Sequence, residues 1–274
     1  MGGWGVAERG RSIYPGAVMK VVPVPCLNDN FAYLIWPEGQ KMAAVVDPSE
    51  AEPVRRALAD HGLSLGAILN THHHWDHVGG NEALLKDTPT LRVFGHVTDA
   101  GRIFGQTEQL EHGQEFELLG MTFRTLHIPG HTTGAVAYVV EDAVFTGDTL
   151  FAGGCGRLFE GTPKMMHTSL NVHLSALPDA TRVYFGHEYT LSNLKFAAHV
   201  EPENADVRAK TERVAKLLAD GQHSTPSSIG EERLTNPFMR CDAAGVRAHV
   251  AGKVPAGAPA HAVLGAIRAE KDAF

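Results

Sequence analysis

The run Thr71-His72-His73-His74-Trp75-Asp76-His77 constrains this chain more than any other stretch. Within six residues it sets three imidazoles and a carboxylate at HxHxDH spacing. A helix interior rarely carries such a run, because it crowds polar rings without burying apolar surface. A turn wrapped around two metal ions needs that density, and imidazole with carboxylate suits zinc and other borderline divalent ions. The flanks read as a turn. Ala67-Ile68-Leu69-Asn70 is a short buried strand, and Gly79-Gly80 lets the backbone bend before a helix from Asn81.

The chain has 274 residues, 43% of them hydrophobic, enough for one large domain or one with a smaller companion. A formal charge of −7 argues against a general nucleic-acid or membrane-surface binder. Cys26, Cys155 and Cys241 are odd in number, widely spaced and without a CxxC pair. They read as reduced thiols of a cytosol-like compartment. No apolar run approaches the roughly 18 residues of a spanning helix. Residues 1–18, rich in Gly, read as an N-terminal extension. Glu8 and the glycines favour disorder there, and Arg9 and Arg11 keep an organellar-targeting reading open.

From Val21 to Phe185 short apolar strands alternate with turns. The expected strands are Val21–Val24, Phe31–Trp36, Met42–Val46, Ala67–Leu69, Arg92–Phe94, Thr122–Leu126, Ala135–Val140, Ala143–Thr146 and Arg182–Phe185. Helices are expected at Ala51–Asp60 and Pro163–Ser175. That mixture predicts an α/β layered domain over 19–186. Beyond it, Asn204–Asp220 gathers Val207, Val214, Leu217 and Leu218 on one face, and Pro259–Lys271 gathers Val263, Leu264 and Ile267. Residues 187–274 therefore read as a helical second domain.

Further ligand-type residues recur in one context. His131, Asp148 and His187 each follow a strand and a glycine, as His72 follows Ala67–Asn70. Four strand ends can thus bring their loops to one edge of the sheets.

These motifs resemble the metallo-β-lactamase superfamily and, within it, the type II glyoxalases, the hydroxyacylglutathione hydrolases. The likeness includes Pro25-Cys26-Leu27-Asn28-Asp29-Asn30, Gly153-Gly154-Cys155-Gly156-Arg157, Phe185-Gly186-His187-Glu188-Tyr189-Thr190, Thr235-Asn236-Pro237-Phe238-Met239-Arg240 and the closing Arg268-Ala269-Glu270-Lys271-Asp272-Ala273-Phe274. It implies an αββα sandwich with an all-helical C-terminal domain over the site. It also implies His72, His74 and His131 on one metal, Asp76, His77 and His187 on the other, and Asp148 bridging. Zinc is the expected ion, and iron and manganese accept the same donors. His73 and Trp75 alternate with the ligands and are expected to point beneath the loop. Asp47 and Asn70 are candidates for orienting the imidazoles.

Two metals about 3.5–4 Å apart can hold a shared hydroxide at neutral pH, so no side-chain nucleophile is needed and Asp76 and Asp148 act through the ions. The sequence agrees, having no GxSxG elbow. A thiolate leaves readily, its thiol pKa being about 8.5, which suits a thioester. The resemblance supplies the substrate, S-D-lactoylglutathione, cleaved to D-lactate and glutathione in methylglyoxal detoxification. It places Arg157, Arg268 and Lys271 on the glutathione carboxylates, with Tyr189 as a hydrogen-bonding group. Phe159 stands where many relatives carry Tyr, and Arg157 where Lys is common. The expected partner is this small thioester alone, with no nucleic acid or membrane, and the chain is expected to act as a cytoplasmic monomer. The alternatives are another enzyme of this fold, such as a glutathione persulfide dioxygenase, and a non-catalytic metal-binding scaffold.

Overall fold

The computed structural model describes residues 18–274, so the reading of 1–18 as an extension falls, but for Val18, outside the described residues. Two six-stranded sheets form the N-terminal part. The first runs β1 (Met19–Cys26), β2 (Asn30–Pro37), β3 (Met42–Val46), β4 (Ser64–Leu69), β5 (Arg92–His96) and β6 (Glu108–Leu110), side by side in chain order. Its first two pairings are antiparallel and the remaining three parallel. Alternation along β2 explains how this sheet is held. Phe31, Tyr33 and Ile35 face the core shared with the second sheet. Ala32 and Leu34 face a separate cluster with Val54 and Leu58 of helix α1 (Ala51–Asp60). A strand buried on both faces reads as a continuous apolar run, as this one does.

The second sheet contains β7 (Glu115–Leu118), β8 (Met121–His127), β9 (Val136–Val140) and β10 (Ala143–Gly147), antiparallel in sequence. A small hairpin, β11 (Leu150–Phe151) with β12 (Gly154–Cys155), leaves the end of β10. Then β13 (Arg182–Phe185) pairs parallel to β10, and β14 (Ser227–Ser228) closes the edge. The register between β10 and β13 slips between Phe145 and Gly147, immediately before Asp148. The expected strands are all present, most extended by one to three residues. The segment expected as one helix over Pro163–Ser175 is instead an α-helical turn followed by a π-helical turn over Ser169–His173 and a 3-10 turn. It still buries Met166, Leu170 and Leu174.

The remaining helices are α2 (Trp75–Val78), α3 (Asn81–Asp87), α4 (Pro163–Thr168), α5 (Thr190–Val200), α6 (Ala205–Ala219), α7 (Ile229–Thr235), α8 (Ala244–His249) and α9 (Ala260–Ala273). The chain from Thr190 on is mainly helical, but it also gives β14 to the second sheet. Phe196, Phe238, Val263, Leu264 and Ile267 join the core between the sheets. The two halves therefore share one core. On α6, Asn204 caps the N-terminus through the Asp206 and Val207 amides, and Val207 and Val214 are buried as expected. Leu217 and Leu218 are only half-buried. No helix among the described residues is long and apolar enough to cross a membrane.

Candidate active site

Four strand ends deliver the site. His72, His74, Asp76 and His77 follow β4 and enter α2. His131 lies in the loop after β8, Asp148 after β10 and His187 after β13. Glycines permit the close approach. A Cβ on Gly186 would lie 2.3 Å from Asp148 Oδ1, and Gly147 takes a φ of +49° against Thr71. Gly79 and Gly80 serve differently from expectation. Both have ordinary right-handed helical angles, and what they allow is contact with the Ser49 and Pro48 carbonyls, which a Cβ would meet at 2.6 and 2.7 Å.

The seven residues expected to act together lie together. His72 Nε2 and His131 Nε2 stand 3.1 and 3.0 Å from His74 Nδ1. His77 Nε2 and His187 Nε2 are 3.3 Å apart, and Asp76 Oδ2 is 3.4 Å from the latter. Asp148 spans the two sets. Its Oδ1 lies 3.2 Å from His77 Nε2, and its Oδ2 lies 3.3 Å from His187 Nε2 and 3.5 Å from His131 Nε2.

The far ring nitrogens are fixed. Nδ1–H of His77 donates to Asp47 at 3.0 Å, that of His187 to Asp29 at 2.8 Å, and that of His131 to the Arg157 carbonyl at 2.9 Å. Thr71 donates its hydroxyl to Asp47 at 2.6 Å, so it accepts from His72 Nδ1–H at 3.0 Å. Each of these rings thus turns Nε2 inward, the orientation of metal-ligating histidines. Only His74 turns Nδ1 inward. Asp47 carries φ +48° on a non-glycine backbone, a strained conformation held by its bonds to Thr71 and His77. Asn70 acts on the backbone rather than on a ring, donating to the His77 carbonyl at 3.1 Å.

The electrostatics divide the site. Burial holds His72 well below its ordinary pKa, with the neighbouring His77 adding to this. Burial likewise takes His74 down to about 4 and lowers His131. At His77 burial is outweighed by Asp148 and Asp47, and the pKa rises well above the ordinary value. At His187 burial is outweighed by Asp148 and Asp76, and the pKa is pushed up to about 10. Asp148 is held far below the usual carboxylate range, its burial overcome by His77 and His187. Three imidazole nitrogens crowded at 3.0 and 3.1 Å, and a buried Asp148 Oδ1 that has an ion-pair contact with His77 at 3.2 Å but no hydrogen bond, leave polar capacity unmet. Divalent cations satisfy both. The donors fall into the trios His72/His74/His131 and Asp76/His77/His187, a binuclear metal site.

The five residues expected to contact substrate line one cleft of about 740 Å³ over these ligands. Phe159 is exposed, its ring 5.7 Å from that of His74 and 5.2 Å from that of His131. Tyr189 stacks parallel on His187 at 4.7 Å. Arg157 is largely in solvent, 3.6 Å from Asp272. Arg268 and Lys271 of α9 do share a face, but differ in commitment. Arg268 is buried and gives Nη1 to the Cys155 carbonyl at 2.7 Å, with Nε left unpaired. Lys271 donates to Asn193 Oδ1 and lies over the Phe196 and Phe238 rings. Burial, then Arg268, lowers it to about 8.

Two expectations about the ligand loop divide. His73 does turn away, its Nδ1 3.1 Å from Asp99 within a network containing Arg102 and Glu160. Trp75 does not. It is 70% exposed and lines the cleft, because α2 begins at Trp75 and helical spacing carries its side chain outward. Sequence reasoning assigned no role to Asn30, which donates to Asp76 Oδ2 at 3.2 Å, nor to Asp29. Their only signal was the polar Asn28-Asp29-Asn30 turn. Asn193 was also missed.

With this geometry established, comparison with known proteins is specific. The model described as the metallo-beta-lactamase superfamily matches residues 28–187, and the one described as the hydroxyacylglutathione hydrolase C-terminus matches 188–274. A hydroxyacylglutathione hydrolase from Synechococcus sp. (strain JA-2-3B'a(2-13)) is 48% identical over 93% of this chain and 100% of its own length. One from Crocosphaera subtropica is 44% identical with the same coverage. Among solved structures, ETHE1 from Myxococcus xanthus has a TM-score of 0.62 at 26% identity, over 93% of this chain and 99% of its own. TTHA1623, solved in a di-iron-bound form, has a TM-score of 0.57 at 30% identity, over 80% and 100%. The sheets and site are those of the metallo-β-lactamase fold. The chain belongs to the hydroxyacylglutathione hydrolase family within that superfamily.

Proposed function

We propose that this chain hydrolyses S-D-lactoylglutathione to D-lactate and glutathione. In this reading His72, His74 and His131 would hold one divalent ion and Asp76, His77 and His187 the other, with Asp148 facing both sets. The observation that carries it is the position of Asp148. Its two oxygens face both imidazole sets at the floor of a cleft whose wall bears Lys271, Arg268 and Arg157. Zinc is the ion proposed. Bound divalent ions would supply an activated water at neutral pH and polarise the thioester carbonyl.

The chain's own residues bind and orient. Lys271 and Arg157 offer cations to the glutathione carboxylates, and Tyr189, stacked against His187, presents a hydroxyl at the cleft wall. Arg268 is a positioning residue, because its guanidinium pins the Cys155 carbonyl and with it the hairpin at the cleft wall. Asp29, Asp47 and Asn30 keep the ligands in register. One chain supplies every residue of the site, which supports a monomer as the working unit. Cys26, Cys155 and Cys241 are buried and unpaired, which supports a reducing, cytoplasmic setting.

The test is turnover of S-D-lactoylglutathione by the purified, metal-loaded protein, alongside Lys271→Ala. We expect wild-type cleavage, and a KM raised several-fold in the variant with metal content unchanged, the pattern of lost ground-state binding. No thioester cleavage, or sulfite formation from glutathione persulfide in its place, overturns the reading.

A further inference from the structure

A second group of metal-type ligands lies in the helical part. His199 of α5, His249 at the end of α8 and Glu270 of α9 bring their ligand atoms within 4.8 Å of one another. Both imidazoles reach Glu270 Oε1, and His249 Nε2 is also 2.9 Å from Oε2. His199 Nε2 is 2.9 Å from Glu270 Oε1 and His249 Nε2 is 3.0 Å from it. The two rings stand at 78° with centroids 5.0 Å apart, so both Nε2–H groups donate to Glu270 without the rings stacking. Lys253 engages the other oxygen, Oε2, at 2.6 Å.

We infer that His199, His249 and Glu270 form a third divalent-metal site, of zinc's ligand class, that staples α9 to α5 and α8. Two histidines and a glutamate are a donor set known for zinc, with the fourth position left to water. Zinc bonded at about 2.0–2.1 Å holds tetrahedral donors roughly 3.3 Å apart. The two histidine-to-glutamate spacings, 2.9 and 3.0 Å, need to open by only a few tenths of an ångström as the ion replaces two imidazole protons. Access is provided. His199 and His249 line an open cleft with Glu201, and Glu201 is already engaged by Arg240 at 2.7 Å and is not drawn into the site.

The position gives the ion a consequence. On the cleft side, α9 meets α5 through Lys271 and Asn193, and Glu270 meets His199 at a second point along the same two helices. An ion there would fasten the helix that presents Lys271.

The experiment titrates zinc into the purified full-length protein whose active centre is already loaded, counting bound ions by mass spectrometry and following thermal unfolding. Wild type is expected to saturate at three ions per chain, the third raising the melting temperature. His249→Gln and Glu270→Gln are expected to saturate at two, to show no such rise, and to retain thioester hydrolysis. If His249→Gln does not fold, His199→Gln, at an exposed ring, is read the same way. Saturation of wild type at two ions, or a third ion retained in the variants, overturns the proposal. Neither result bears on the binuclear centre, whose ions are counted separately.

Discussion

Two groups of buried polar side chains, one at the edge of the sheets and one in the helical part, differ in how their hydrogen-bonding capacity is met. In the helical part Lys210 is 2% exposed and donates to Ser227 at 3.2 Å, to Glu232 Oε1 at 2.5 Å and to Thr235 at 3.3 Å. Glu232, fully buried, spends its other oxygen on the Gly153 amide at 2.7 Å and the Asn236 side chain at 3.0 Å. That network closes on itself. At the sheet edge, Nε2 atoms face each other at 3.3 Å, three imidazole nitrogens crowd at 3.0 and 3.1 Å, and Asp148 Oδ1 makes no hydrogen bond. A buried polar group without a partner costs on the order of 1–3 kcal/mol. A folded chain tolerates such a cluster where something else completes it. Closure makes Lys210 and Glu232 a buried support for the fold, while the histidine set at the sheet edge stays open to cations.

Removing the bridge should have the largest effect. Asp148→Ala should lower bound metal and thioester hydrolysis together. Loss of a group that merely orients a ligand costs about 10–100-fold, so loss of a carboxylate facing both sets should exceed roughly 100-fold. Full activity with one ion per chain in that variant would show that the two halves do not work as a pair. The fold should persist, because Asp148 contributes no apolar surface to the core.

The converse test strikes the closed network. Lys210→Met leaves Glu232 charged and buried, and breaking a buried pair from one side costs about 3–5 kcal/mol. Urea unfolding should show that loss with metal content unchanged. Adding Glu232→Gln removes the stranded charge and keeps an oxygen for the Gly153 amide, so part of the stability should return. A single-variant loss under about 1 kcal/mol would mean the network is not closed in the way described.

What the sequence disclosed follows the same division. The histidine turn was legible because ligand density has no competing structural use, and His131, Asp148 and His187 because each repeats one strand-and-glycine context. Lys210 was not legible. It sits between Val207 and Val214 on an apolar face, where a lysine reads as a gap in the pattern, and its partners are 17 to 25 residues away. The strands β6 and β7 were missed because Glu108, Glu115 and Glu117 interrupt any apolar alternation. The π-helical turn at Ser169–His173 widens the helix without altering the apolar spacing that marks one. Asp29 and Asn30 were missed as ligand partners for another reason. Their contacts cross 46 to 158 residues, and nothing local announces them.

The smallest expected effect concerns the cleft wall, where the open site meets solvent. Phe159 lies edge-on to His74 and tilted against His131, and is 61% exposed. It offers a bound peptide no hydrogen bond, whereas Tyr189 across the same cleft offers one. Phe159→Tyr adds a hydroxyl without changing ring packing. A hydrogen bond is worth about 0.5–1.5 kcal/mol, which corresponds to a KM for the glutathione thioester lower by about two- to tenfold. Exposure places the result toward the smaller figure, since the new hydroxyl is hydrated before substrate arrives. Because the ring touches two ligands, metal content must be measured with the kinetics. A lower KM at constant metal and constant kcat would show that this wall binds the peptide and leaves the chemistry alone. A change in kcat or in bound metal would show instead that Phe159 shapes the ligands beneath it, and the division between an open metal centre and a separate binding wall would have to be redrawn.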